Sequence, residues 1–149
     1  MAANVNDVAA YLLERHGPMS TMKLHKLLYY CQAWHLVWTG KPLFEATIEA
    51  WRDGPVVPDV FALHEGRFMI DSIPVTTDPA DIEPSERESI DIVFATYGPQ
   101  SASDLSARTH AEAPWVNARA GVASHLRGAK VITHHAMFEY FDEQYQATG

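Results

Sequence analysis

From Ser20 to Gly40 the chain carries one unbroken apolar helical pattern, and any fold it adopts has to be built around that segment. Leu24, Leu27, Leu28, Cys31, Trp34 and Trp38 recur at helical spacing. Tyr29, Tyr30, Leu36 and Val37 widen the apolar arc well beyond a single stripe. A helix apolar over most of its circumference belongs in the middle of a protein. The pattern predicts a central helix starting at Ser20 or Thr21 and ending at Gly40, with a narrow wet edge at Lys23, Lys26 and Gln32.

The other segments read as elements packed around it. Asn6 is positioned to cap a first helix bearing Val8, Ala9, Leu12 and Leu13, which Gly17-Pro18 stops. Pro42, Pro55 and Pro58 exclude a continuous helix between residues 41 and 58. Within that stretch Thr47 to Trp51 suits a short strand, Asp53-Gly54-Pro55 a turn, and Pro58-Asp59 the first turn of a helix through His64. Residues 71–84, with three prolines, read as an exposed connection and the place where mobility is expected. Ser85 to Glu88 has the form of a capping box, opening a helix that buries Ile90, Val93, Phe94 and Tyr97. Ser101 with Asp104 opens a helix to about Thr109, and Pro114 begins a short piece containing Trp115. Lys130-Val131-Ile132 suits a strand pairing near Trp51, and Thr133 a cap for a last helix. The expected fold is mainly α: a compact bundle of six or seven helices with at most a small two- or three-stranded β element. At 149 residues the chain is expected to form a single domain, residues 1–149.

Charge and cysteine usage exclude several classes of function. Eleven Lys and Arg against nineteen Asp and Glu give a net charge of −8. Gripping a phosphate backbone requires the opposite sign, so nucleic acid is not an expected partner. Cys31 is the sole cysteine, which rules out an internal disulfide and CxxC-type zinc sites. Its place on the most apolar helix marks it as a packed hydrophobe. No segment has the length of a membrane span, and the first residues lack the pattern of a secretory signal, so a cytoplasmic location is expected.

The motifs of common chemistries are missing. The sequence has no phosphate-binding glycine loop, no GxSxG nucleophile elbow and no HExxH zinc pair. His134 and His135 are neighbours and would point about 100° apart on a helix, so they do not share an ion readily. His110 precedes Glu112 and Pro114-Trp115 and suits a hydrogen-bonded turn, with a structural role as its first reading. Trp51, beside Arg52-Asp53-Gly54-Pro55, admits two readings: it closes the core, or it anchors an interface, where Trp, Tyr and Arg carry most binding energy. No cofactor, no metal and no enzymatic activity are expected.

Four motifs in order resemble one known family. Met22 to Tyr30, followed by Trp34, is similar to the KLQKLLYY helix of the Panacea domain, also called SocA-like or GepA-like. Gly40 to Phe44 is similar to its G-x-P-L-F segment. Glu49 to Pro58 resembles its EAW-x-x-GPV-x-P signature. Thr109-His110 with Pro114-Trp115 and Arg119 resembles its T-H-x-x-x-PW motif. The resemblance spans about residues 5–141. His25 stands where Gln is usual, on what reads as the wet edge, and Asp53 stands where Tyr is common.

The resemblance implies an antitoxin of a bacterial or phage toxin–antitoxin pair, of a kind common in prophages and mobile elements. It would neutralise a cognate protein toxin by direct stoichiometric binding and would not be an enzyme. Some members carry a further DNA-binding domain, for which a chain of this length and charge offers no room. The alternative is a proteolytic adaptor or scaffold that delivers a client protein to a protease. The candidate partner-binding residues are Trp51, Arg52, Asp53, Gly54, Pro55, His110 and Trp115, with the competing reading that these motifs define the fold. An acidic domain suits a basic partner surface, which would speed encounter. So broad an apolar helix also leaves room for a homo-oligomer.

Overall fold

A computed structural model describes residues 2–148 and is mainly helical. Among the described residues there are seven α-helices: α1 (Val5–His16), α2 (Thr21–Thr39), α3 (Pro58–His64), α4 (Pro84–Tyr97), α5 (Ala102–His110), α6 (Ala113–Ala118) and α7 (His134–Thr148). Five short strands accompany them: β1 (Met19–Ser20), β2 (Ile48–Trp51), β3 (Gly54–Val56), β4 (Met69–Ile70) and β5 (Lys130–Ile132).

Helix α2 is the axis of the molecule. It packs against α1, α4, α5, α7 and β3. From Leu24 to Ala33 every residue is buried, so there is no wet face in that stretch. Ser20 caps it by accepting from the Lys23 amide at 3.1 Å, and Gly40 ends it in a left-handed conformation. The expected wet edge is therefore a correction: Lys23 bonds the Gly98 carbonyl at 2.6 Å, but His25, Lys26 and Gln32 lie inside. Helices and strands cover all sides of α2, and its polar residues are buried with the rest.

Most of those polar residues are matched by partners. The Gln32 amide donates to the Phe44 carbonyl at 2.7 Å and accepts from the Leu43 amide at 2.7 Å, tying the Pro42-Leu43-Phe44 segment to the helix. His35 Nδ1 meets the Ser89 hydroxyl at 2.8 Å. The Trp34 indole donates to the Tyr97 hydroxyl at 2.9 Å, and the rings of Tyr30 and Tyr97 stack at 3.9 Å.

The β element comprises two small sheets. β2 lies between β3 and β5, antiparallel to both, with Trp51 opposite Gly54 and Glu49 opposite Val131. β1 and β4 form a second pair, Met19 opposite Ile70, that two-residue strands do not announce in a sequence. Two helix starts also differ from expectation. Asn4, not Asn6, caps α1, accepting from the Asn6 amide at 2.8 Å. Pro84 fixes the first turn of α4, so the box forms two residues earlier than Ser85: the Glu83 amide donates to Glu86 Oε1 at 2.9 Å. The 71–84 connection is largely exposed but held at Ile73 and Ile82, both buried, and by the Asp78 amide on Asp7.

Candidate functional site

Helices α5 and α6 pack beside the β2–β3 hairpin, and all seven candidate residues converge there. The Trp115 indole donates to the Trp51 carbonyl at 2.8 Å, and His110 stacks on Trp115 with ring centroids 4.1 Å apart. The Ser106 hydroxyl donates to the Asp53 carbonyl at 2.8 Å, fastening the turn to α5. Arg119 locks the assembly from behind. Its guanidinium donates to the carbonyls of Ala50, Ala123, Leu126 and Arg127 at 2.6 to 3.2 Å and lies over the Trp115 ring. The last motif and the loop 121–128 are thereby pinned to β2.

The seven residues divide by exposure. Gly54 and Pro55 are buried, Trp51, His110 and Trp115 are half-buried, and Arg52 and Asp53 project into solvent as a loose ion pair at 3.6 Å. Gly54 has φ of +135°, and a Cβ there would lie 2.7 Å from Lys26 Cε. Backbone and space both demand glycine at this position. Burial, and after it the neighbouring Lys26, holds the His110 imidazole below its ordinary pKa, and its buried Nε2 has no hydrogen-bond partner. Among the described residues no three His, Cys, Asp or Glu side chains converge as a metal site does.

Beneath the hairpin lies a cavity of about 410 Å³ that none of the sequence motifs announces as a site. Trp51, Arg52 and Asp53 line it together with His25, Lys26, Phe61, His64 and Arg127. The Trp51 ring meets Phe61 edge-on at 4.8 Å, and the Arg127 guanidinium covers both rings at 4.3 and 5.3 Å. His25 and His64 touch through their Nε2 atoms at 2.6 Å. The Val57 amide donates to His25 Nδ1 at 3.2 Å, which places the His25 proton on Nε2. That proton is then donated to His64 Nε2, and His64 carries its own on Nδ1. Burial, then His64 and Lys26, pushes the His25 pKa down to about 3; burial lowers that of His64. The pair is a neutral relay joining β3 and α3 to α2.

Sequence reasoning missed Lys26, Phe61 and Arg127 as parts of a site, and placed His64 only at the end of α3. The signal for Lys26 was present, since a helix apolar all round buries its polar residues too. Phe61 and Arg127 sit in a seven-residue helix and an irregular loop, where no periodicity reveals direction.

One turn along α2 from Lys26, Glu112 is buried and accepts from Tyr30 at 3.1 Å and Tyr29 at 3.4 Å. Burial raises its pKa to about 7 against the opposing pull of those hydroxyls. Tyr29, Tyr30, Thr109 and Glu112 thus join the first motif to the last through the core, a structural role.

Comparison with known proteins completes the site. The family model described as "Antitoxin SocA-like, Panacea domain" matches residues 24–116, from the buried face of α2 to α6. The chain is 34% identical over 132 residues to Antitoxin SocA of Caulobacter vibrioides (strain NA1000 / CB15N), an alignment covering 76% of this chain and 69% of that protein. No solved structure matches. Four motifs, their convergence around one hairpin, and this likeness over most of the chain agree: the protein belongs to the SocA-like, Panacea-domain antitoxin family.

Proposed function

We propose that the chain is a single-domain antitoxin that neutralises a cognate protein toxin by direct, stoichiometric binding, acting as a binder and not as a catalyst. The observation that carries this reading is an apolar surface beside the candidate residues. Phe68 is 73% exposed, and Met22 and Met69 are also exposed, next to it in space or sequence. Met22 and Phe68 border a shallow groove floored by the small residues Ala102, Ser103, Ser106 and Ala107 of α5, with His110 at one end. Met22 also lines the hairpin cavity, so this groove runs on into the face that bears Trp51, Arg52 and Asp53. Large apolar side chains left in water next to polar ones mark interaction surfaces. The buried members, Gly54 and Pro55, support the face from beneath, and Trp115 holds the strand that presents Trp51.

The test is co-expression. The gene beside this one is induced in a heterologous bacterium with and without this protein, and the pair is then purified. Growth arrest by the neighbour, rescue by this chain and co-elution in equal amounts support the reading. Phe68→Asp, on a side chain with little to lose on folding, is expected to abolish rescue with an unchanged melting temperature. Rescue that survives this substitution and Trp51→Ala together places the contact elsewhere.

A further inference from the structure

The hairpin cavity carries a charge opposite to that of the protein. Lys26 is 2% exposed, and among the described residues neither it nor Arg127 forms an ion pair. The other polar side chains in the buried stretch of α2 are matched: His25 by Val57 and His64, Gln32 by Leu43 and Phe44, His35 by Ser89, and Tyr29 and Tyr30 by Glu112. Lys26 alone has no hydrogen-bond partner there. Its ammonium would lie 3.0 Å from a Cβ on Gly54, which places it directly under the turn at the wall of the cavity. Asp53, the sole carboxylate lining this space, attracts Lys26 across it but is exposed, forms no ion pair with it and already faces Arg52. The two imidazoles are neutral and engaged with each other.

An unpaired buried cation is costly unless something anionic meets it. The cavity supplies the rest of a ligand site: a volume within the range that takes small molecules, apolar walls at Met22, Val56 and Phe61, and a second cation at Arg127 held in place over two aromatic rings. A cationic ligand or a metal ion would meet two unpaired positive charges.

We propose that this cavity binds a small organic anion, its phosphate or carboxylate head on Lys26 and Arg127 and its apolar body against Met22, Val56 and Phe61. The site shares its rim, Trp51 to Asp53, with the proposed toxin-contact face but does not depend on that reading, because the ligand is tested on the isolated chain.

The experiment titrates the purified chain with phenyl phosphate, inorganic phosphate, benzoate and, as a cation of similar shape, benzylammonium. Binding is followed by calorimetry and by the Trp51 indole N–H resonance, assigned by its absence from Trp51→Phe. Phenyl phosphate is expected to shift the resonance saturably and bind most tightly, the other anions more weakly, and benzylammonium not at all. Lys26→Met, which preserves length and apolar volume, is expected to weaken phenyl phosphate at least about tenfold while the circular dichroism spectrum stays unchanged. Arg127→Gln, at a position away from the central helix, is expected to weaken it to a lesser degree. No saturable shift with any anion up to millimolar concentrations, or equal binding by the parent and both variants, overturns the proposal.

Discussion

Lys26 of α2 and Glu112, which packs on α2 one turn further along, are both held out of water, yet their surroundings answer them differently. Glu112 faces two tyrosine hydroxyls and sits in a closed, satisfied core; Lys26 faces a cavity and no partner. Burial moves both toward neutrality, Glu112 up to about 7 and Lys26 down to about 8. The difference teaches which of two buried ionisable groups serves the fold. A carboxylate with hydroxyl donors on two adjacent helix residues is a fastening. An ammonium with none is a cost to the fold, and costs of that kind gather at sites that bind.

The largest effect is expected where the fastening is cut. Glu112→Ala leaves two buried tyrosine hydroxyls without an acceptor and opens a void between α2 and α6, for a loss of about 2 to 3 kcal/mol in urea unfolding. Glu112→Gln keeps an acceptor and is expected to lose less than about 1 kcal/mol. Equal losses for the two would mean that packing, and not the hydroxyl bonds, holds this flank.

Next comes the clamp between the regions. Arg119→Ala frees the four carbonyls it joins and releases the loop that carries Arg127, at an expected cost of about 2 kcal/mol. Loop 121–128 should then show faster amide exchange than α2, whose protection should change only with global stability. Slow exchange in that loop despite the substitution would show that the backbone path alone fixes Arg127.

Acid separates the two flanks by sign. His25 binds a proton less readily in the folded chain than its ordinary 6.5, so its contribution to stability is present above pH 6.5 and lost as pH falls toward 3. Glu112, raised to about 7, acts the other way: its contribution is present below its ordinary 4.5 and lost as pH rises through 7. Between pH 7 and pH 5 the two changes oppose each other, each on the order of 2 kcal/mol. His16, His35, His64 and His110 are lowered by burial as well and add to the His25 side, so the parent is expected to lose stability toward pH 5. Glu112→Gln, with its carboxyl gone, is expected to lose about 2 kcal/mol more than the parent over the same interval, read as a steeper fall of the urea midpoint. Equal losses by the parent and Glu112→Gln would assign the pH dependence to the histidines alone.

How much of this was legible in the sequence follows from the same contrast. The closed flank was legible because it is periodic: α2, the Gly40 stop and the helices bearing Ile90 and Phe141 follow from apolar spacing, and the turn at Gly54 from its chemistry. The convergence of the hairpin with His110 and Trp115 was legible only as two separate motifs, since a contact between residues 51 and 115 leaves no local pattern. The open flank was read wrongly at Lys26 and His25. A lysine on a helix is assigned to solvent by habit of composition, and only the packing of β3 and α3 over that face decides otherwise. The pairing of Met19 with Ile70 was invisible because two-residue strands are shorter than any alternation that could reveal them.

The smallest expected effect is also the most diagnostic. Lys26→Met removes a buried charge that only the exposed Asp53 opposes, without an ion pair, and leaves the stem's apolar volume in place under Gly54. A structural lysine would be missed, and the chain would lose stability. An isolated cation kept for binding would not be missed, because replacing it by a methylene chain and a thioether ends a desolvation cost. The expected outcome is a gain of about 1 kcal/mol in urea unfolding at pH 7, opposite in sign to Glu112→Ala. Gly54→Ala serves as the control on the same contact: it strains a backbone at φ +135° and crowds Lys26 Cε, and should destabilise whichever residue stands at position 26. If Lys26→Met loses stability as Glu112→Ala does, the ammonium has a fastening role of its own, and the two neighbouring regions of α2 are built on one principle instead of two.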